Sequence, residues 1–384
     1  MKKIVLSLVL VLSLLLVLGG CTKKKSKAKT AAAGPKYKIG LVFDIGGRGD
    51  KSFNDSALAG LVHVAKQYKG YIKDDPDNVN FGSEIEMKYL EPKAGGQDRE
   101  QLLRVLAEQG YNLIYGIGFM FSDPLAKVAK DFPNVHFAIV DGFIPDLNEN
   151  SNITCLLFKE HEGSFLVGAV AGLMNNGGKI GFIGGMDIPL IHKFEGGYIA
   201  GALYVNPKLR DESMILAQYI GKDPSAFKDA PAAYNIASNM YKQGAAVIYH
   251  AAGASGDGLF QAAEKYKKLA IGVDSDQGLI YSTAKDAATR ARGKYILTSM
   301  LKRVDNAVYT TATELINNGK VNGGYHSFGL KENGVGFAVN DYNKDKLSGI
   351  MDKIESIKQK IINGEIVVPD DDSKVEAWAE KNLK

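Results

Sequence analysis

The side chains best suited to holding a small polar molecule stand at the ends of short apolar runs. Asp44, Asp141 and Asp274 each close such a run, after YKIGLVF, VHFAIV and LAIGV. Phe119, Gly184, Gly221, His250 and Gly253 hold comparable positions. A carboxylate offers two acceptor oxygens, enough for a pair of neighbouring hydroxyls. Glycine lets a ligand approach the backbone. Within DIGGRGDKSFND at 44–55, Phe53 and Asn54 add a flat apolar ring and an amide close to Asp44. Such groups bind well and react poorly.

Catalytic constellations are missing from the sequence. It contains no G-x-x-x-x-G-K-[ST] phosphate loop, and no G-x-G-x-x-G follows the first apolar run. There is no G-x-S-x-G elbow and no H-E-x-x-H. The histidines at 63, 136, 161, 192, 250 and 326 form no pair at metal-ligand spacing. The expectation is therefore a binder without metal or cofactor, and not an enzyme. Gly253, Gly256 and Gly258 precede Leu259 and Phe260. That turn either presents N–H groups to an anion or, in the commoner use, folds a strand tightly into a helix.

The elements that must position these residues alternate along the chain. Tyr37–Phe43 reads as a buried strand. Ser52–Asp55 resembles a capping box, opening a helix with Leu58, Leu61, Val62 and Ala65 on one face. Further strands are expected at 84–90, 113–117, 135–140, 179–183, 214–219, 245–249 and 269–273. Helices are expected at 98–109, from Asp123-Pro124, at 163–174, and near 194–205, 231–243, 256–268 and 294–318. Residues 145–160 read as a passage without a clear element. Strands alternating with helices imply parallel sheets covered on both faces, and ligands gather beyond the carboxyl ends of such strands.

At this point the residues acquire a likeness. DIGGRGDKSFND resembles the opening signature of the basic membrane protein family of bacterial substrate-binding lipoproteins, which includes purine nucleoside receptors. GIGF at 116–119, VD at 140–141, GFIGG at 181–185, FEGGY at 194–198, AAG at 251–253, IGVDSDQ at 271–277 and TSMLK at 298–302 follow in the family's order. The resemblance covers about 36–368. It implies a type I periplasmic-binding-protein fold: two doubly wound parallel-sheet α/β lobes with a ligand cleft between them. It also implies that the chain captures its substrate for an ABC permease and ATPase.

The resemblance also implies roles for individual residues. Phe53 would stack on one face of a base, with Asn54 beside it, and Phe227, in the long loop YIGKDPSAFKD, on the other. Asp44 would sit at the end of the first strand, and Asp141 would read the base edge, with Asp123 as its rival. Asp274 would take the ribose, with Lys302 nearby. Gly253 would allow close approach. From sequence alone other uses stay open. Phe53 also suits a hydrophobic staple, Asp274 and Asp123 suit helix caps, and Lys302 suits the solvated face of a helix. The implied ligands are adenosine, guanosine and inosine. The alternatives are riboflavin, an antigen or adhesin that keeps the fold without transport, and a nucleoside hydrolase.

The N-terminus carries an address. Lys2 and Lys3 precede the apolar run Ile4–Leu18, and Leu18-Gly-Gly-Cys21 ends it. This pattern is a secretory leader, residues 1–20, too short to span a bilayer. Its ending resembles a bacterial lipobox that would place a lipid on Cys21, anchoring the protein outside the cytoplasm. Residues 21–35 form a lysine-rich tether suited to anionic headgroups. The net charge is +4. The leader's two lysines and the tether's five supply seven positive charges, so the remainder carries about −3. That balance argues against nucleic acid as a partner. Cys155, the other cysteine, reads as a buried structural thiol. The remaining length suits two lobes. Lobe one is expected at 36–155, completed by about 286–320, and lobe two at 156–285, completed by about 321–384.

Overall fold

A computed structural model describes residues 34–383. The expected leader, Cys21 as the expected lipidation residue, and most of the expected tether lie outside the described residues. Among the described residues the apolar runs form thirteen strands: β1 (Tyr37–Val42), β2 (Gly70–Ile72), β3 (Ile85–Leu90), β4 (Leu113–Ile117), β5 (His136–Val140), β6 (Ile153–Phe158), β7 (Lys179–Met186), β8 (Ile215–Gly221), β9 (Ala245–Ala251), β10 (Leu269–Asp274), β11 (Ile296–Lys302), β12 (Gly324–Phe328) and β13 (Val335–Phe337). They make two sheets, ordered β12-β6-β5-β4-β1-β3-β2 and β13-β11-β10-β9-β7-β8. Every pairing is parallel except β11 with β13. β4 and β9 are buried along almost their whole length, as strands covered by helices on both faces must be.

Three readings of the sequence are corrected by this topology. The passage 145–160 contains β6, which pairs with β5 through Ile139 and Cys155, so the first sheet extends to Phe158. Residues 296–302 are a strand, and the helix begins only at Val304. ILTSMLK is buried on both faces and lacks the alternation that marks a half-exposed strand, so its pattern does not distinguish strand from helix. The expected lobe boundaries shift in consequence. Of residues 286–320, only the helix Val304–Asn318 joins the first lobe, packing against the helix Phe53–Gln67. That helix stops at Gly319 in the left-handed conformation, and the chain then lays β12 beside β6 in the first sheet. Residues 321–384 are therefore shared between the lobes.

The chain crosses between sheets at Phe158–Glu160, Lys302–Val304 and Phe328–Val335. Backbone bonds join the crossings: Lys159 N–H donates to the Phe328 carbonyl at 3.0 Å, and Arg303 N–H to that of Gly334 at 2.8 Å. In the second lobe, the helices Glu160–Met174 and Pro189–Val205 touch backbone to backbone. A Cβ at Gly168 or Gly201 would strike the Tyr198 or Phe165 carbonyl, so only glycine permits this approach. Among the described residues no helix is long and apolar enough to cross a membrane.

Candidate functional site

The carboxyl ends of both sheets open onto one cavity of about 660 Å³, counting its mouth. From the first lobe, Asp44 follows β1, Phe119 follows β4, Asp141 follows β5, and Phe53 and Asn54 open the helix Phe53–Gln67. From the second, Phe227 stands beyond β8 and Gly253 just beyond β9, while Asp274 ends β10 and Lys302 ends β11. All eight residues singled out for ligand binding thus line one cavity. Asp123 does not: it is exposed on the first turn of the helix Ser122–Asp131.

Asp141 and Asp274 share a backbone feature. Their φ angles are +63° and +64°, in the left-handed region that aspartate tolerates better than most residues. Strain of this kind concentrates at functional sites.

The loop 44–55 is held by its own polar groups. Asp50 accepts bonds from the N–H groups of Ser52, Asn54 and Asp55 at 2.9–3.1 Å, so it caps the helix that Ser52 was expected to cap. Asn54 lines the cavity, yet its amide is committed to the loop. Its oxygen accepts from Asp44 N–H at 2.9 Å, and its nitrogen donates to Asp50 at 2.9 Å. Asp44 accepts from Arg99 at 2.5 Å. Burial pushes Asp44 up against the lowering effect of Arg99, and Asp50 up to about 6.

Ser52 instead reaches across the cleft. Its hydroxyl donates to Asp274 Oδ2 at 2.5 Å, and Gln277 Nε2 donates to the Lys51 carbonyl at 3.1 Å. Burial pushes Asp274 up to about 7, against the opposing pull of Lys302 and the Ser52 hydroxyl.

Lys302 is 1% exposed. Its ammonium lies 2.5 Å from Asp141 Oδ2 and 3.0 Å from Glu160 Oε1, with the rings of Phe53, Phe158 and Phe194 at 5.2–5.4 Å. The Glu160 contact has ion-pair distance without hydrogen-bond alignment. Burial disfavours the ammonium, but Asp141, Glu160 and Asp274 hold its pKa above the ordinary lysine value. Burial likewise pushes Glu160 up, and Lys302 and Lys193 outweigh it to leave Glu160 below the usual range. Among the described residues Oδ1 of Asp141 has no hydrogen-bond partner. The reading of Lys302 as a solvated helix residue is thus overturned.

Sequence reasoning gave no role to Asp50, Met120, Ile191 or Phe194, which also line the cavity. Phe194 lay inside a family motif and Asp50 inside the opening signature, so their signal was positional. Phe227 rests its ring on Gly185, where a Cβ would collide with it, so glycine there makes room for the aromatic wall.

Residues 36–372 match the Bmp family, described as ABC transporter substrate-binding protein PnrA-like. The chain belongs to the Bmp family. It is 35% identical over 375 residues to the CD4+ T-cell-stimulating antigen of Listeria innocua, across 95% of this chain and 98% of that protein. It is 32% identical over 378 residues to the ABC transporter nucleoside-binding protein BmpA of Lactococcus lactis, across 96% and 99%. An ABC transporter solute-binding protein from Aeropyrum pernix K1 superposes with a TM-score of 0.71 and 28% identity, over 90% and 98% of the two chains. This Bmp-family chain is an ABC transporter substrate-binding protein with the type I periplasmic-binding-protein fold. Its family and fold are those of solute-binding proteins rather than enzymes.

Proposed function

We propose that this protein captures purine nucleosides between its lobes and delivers them to an ABC permease and its ATPase. The observation that carries the reading is the pairing of two unlike ends in one cavity. Phe53 and Phe227 stand on opposite lobes, so closing the cleft would bring a ring to each face of a base. At the other end Asp274 is a buried acceptor suited to ribose hydroxyls. The free Oδ1 of Asp141 suits the base edge, and Gly253 leaves room for close approach. Asn54 and Asp44 act in this reading by holding the loop that presents Phe53.

Calorimetry tests it on the full chain, unfolded and refolded to remove retained ligand. Adenosine, guanosine and inosine should bind. Phe53→Ala and Phe227→Ala should each weaken all three alike, by about 1–3 kcal/mol, since stacking is indifferent to the base. A yellow preparation with a flavin spectrum, together with no binding of any purine nucleoside, would transfer the site to riboflavin.

The lipobox reading places the protein on the outer face of a membrane, tethered through Cys21 and the basic segment that follows. Cys21→Ser should abolish incorporation of labelled palmitate when the chain is expressed in a bacterial host. Persistent labelling would remove the anchor from Cys21.

A further inference from the structure

Another polar cluster lies outside the cleft. His192 and Glu195 stand one turn apart on the helix Pro189–Val205, whose Leu190, Ile191 and Phe194 line the cleft. Asp372 comes to them from the C-terminal segment, and donor atoms of His192, Glu195 and Asp372 all lie within 4.8 Å of one another. His192 Nδ1 is 2.7 Å from Asp372 Oδ1 and 3.0 Å from the Tyr219 hydroxyl, which also donates to Glu195. The other ring nitrogen, Nε2, is 3.0 Å from Asp187 Oδ1.

We propose that this cluster is a binding site for a zinc-class divalent cation. His192 Nδ1, Glu195 and Asp372 are its ligands, and water completes the shell. Donors about 2.0–2.2 Å from a tetrahedral zinc are about 3.3–3.6 Å apart, so Nδ1 and Asp372 Oδ1, 2.7 Å apart, must open by under about 1 Å to admit the ion, within a cluster that spans no more than 4.8 Å. Asp187 holds the N–H of the second ring nitrogen, the arrangement that fixes the tautomer of a metal-ligating imidazole. An imidazole among carboxylates suits zinc, whereas calcium and magnesium prefer shells made of oxygen alone.

Charge and packing support the assignment. Three carboxylates surround a single imidazole. The lysines of the same two segments are committed elsewhere, Lys193 to Glu160 and Lys374 to Asp370. Glu195 is 5% exposed, so water screens its charge poorly. Asp372 is delivered by tight backbone packing: a Cβ at Gly196 would come within 2.5 Å of the Asp371 carbonyl carbon. The ion would fasten the C-terminal segment to a helix of the cleft wall. The sequence expectation of no metal rested on histidine and cysteine spacing. A His-x-x-Glu pair completed by a distant aspartate has no such signature.

The test uses the full chain without a polyhistidine tag, stripped with a chelator and dialysed. Titration with Zn²⁺ by calorimetry, with elemental analysis, should show one ion per chain and a raised melting temperature. Excess Mg²⁺ or Ca²⁺ should not displace it. His192→Ala and Asp372→Asn should weaken binding at least about 100-fold, and Asp187→Asn about 10- to 100-fold. Asp372 is partly exposed, so Asp372→Asn should melt like the parent in the absence of zinc and serves as the folded control. No zinc uptake by the parent, or uptake unchanged in His192→Ala and Asp372→Asn, would overturn the site. Nucleoside titration of the same samples reads the cleft separately.

Discussion

Lys302→Met is expected to cost the fold about 3–5 kcal/mol, the range for removing one partner of a buried ion pair. Met matches lysine in length and fills the space among Phe53, Phe158 and Phe194, so lost packing contributes little. The cost comes from the charges left behind. Asp141 and Glu160 would face each other's field in a dry site, with Lys193 3.3 Å from Glu160 Oε2. Position amplifies the effect. Glu160 follows the first crossing between lobes, and Lys302 precedes the second, so the pair ties two hinge strands together. Urea unfolding of Lys302→Met and of Lys302→Met with Glu160→Gln separates charge from packing. The double variant should recover a large part of the loss, because it removes one stranded carboxylate. A single variant within about 0.5 kcal/mol of the parent, the usual effect of surface substitutions, would show that the triad carries no structural weight.

The sequence made some of these residues visible and hid others for a consistent physical reason. Asp44, Asp141 and Asp274 stand out because an apolar run that ends in aspartate is a local pattern, and in parallel sheets such ends share one side. Phe227 was placed by family likeness despite a long loop, and it does wall the cavity. Lys302 was named by likeness alone, since its own neighbourhood read as a helix. The strand carrying it is buried on both faces, and burial on both faces erases the periodicity that identifies a strand. Glu160 went unnoticed because β6, which precedes it, fell in a passage with no assigned element. Asp50 takes the capping role expected of Ser52 for a similar reason. Which oxygen caps a helix depends on what else competes for it, and Asp274, far along the chain, takes the Ser52 hydroxyl. Partners chosen across the cleft leave no trace in local spacing.

Affinity for adenosine or inosine is expected to rise about thirtyfold from pH 5.5 to pH 8 and then to level off. Asp274 is pushed up to about 7 by burial, so at pH 5.5 the ligand-free site is mostly protonated there. Ribose hydroxyls donate to the carboxylate and return it toward its ordinary value near 3.9, so binding below about pH 7 releases a proton. Stability of the ligand-free protein should move the other way. A carboxyl raised from 3.9 to about 7 contributes its full stabilisation below pH 3.9 and loses it as pH rises through about 7. The empty protein should therefore lose stability from this group over the range in which binding tightens. Asp50, raised to about 6, titrates in the same window, but its oxygens are held by backbone N–H groups of the loop. Asp274→Asn discriminates between the two. At pH 8 it should weaken nucleosides by about 1.5–3 kcal/mol, the worth of a charged hydrogen bond, while leaving free bases nearly unaffected. It should also flatten both pH profiles. Calorimetry at five pH values on parent and variant measures all of this. An affinity that stays flat in the parent, or a slope that survives in Asp274→Asn, would take the ribose away from this carboxylate.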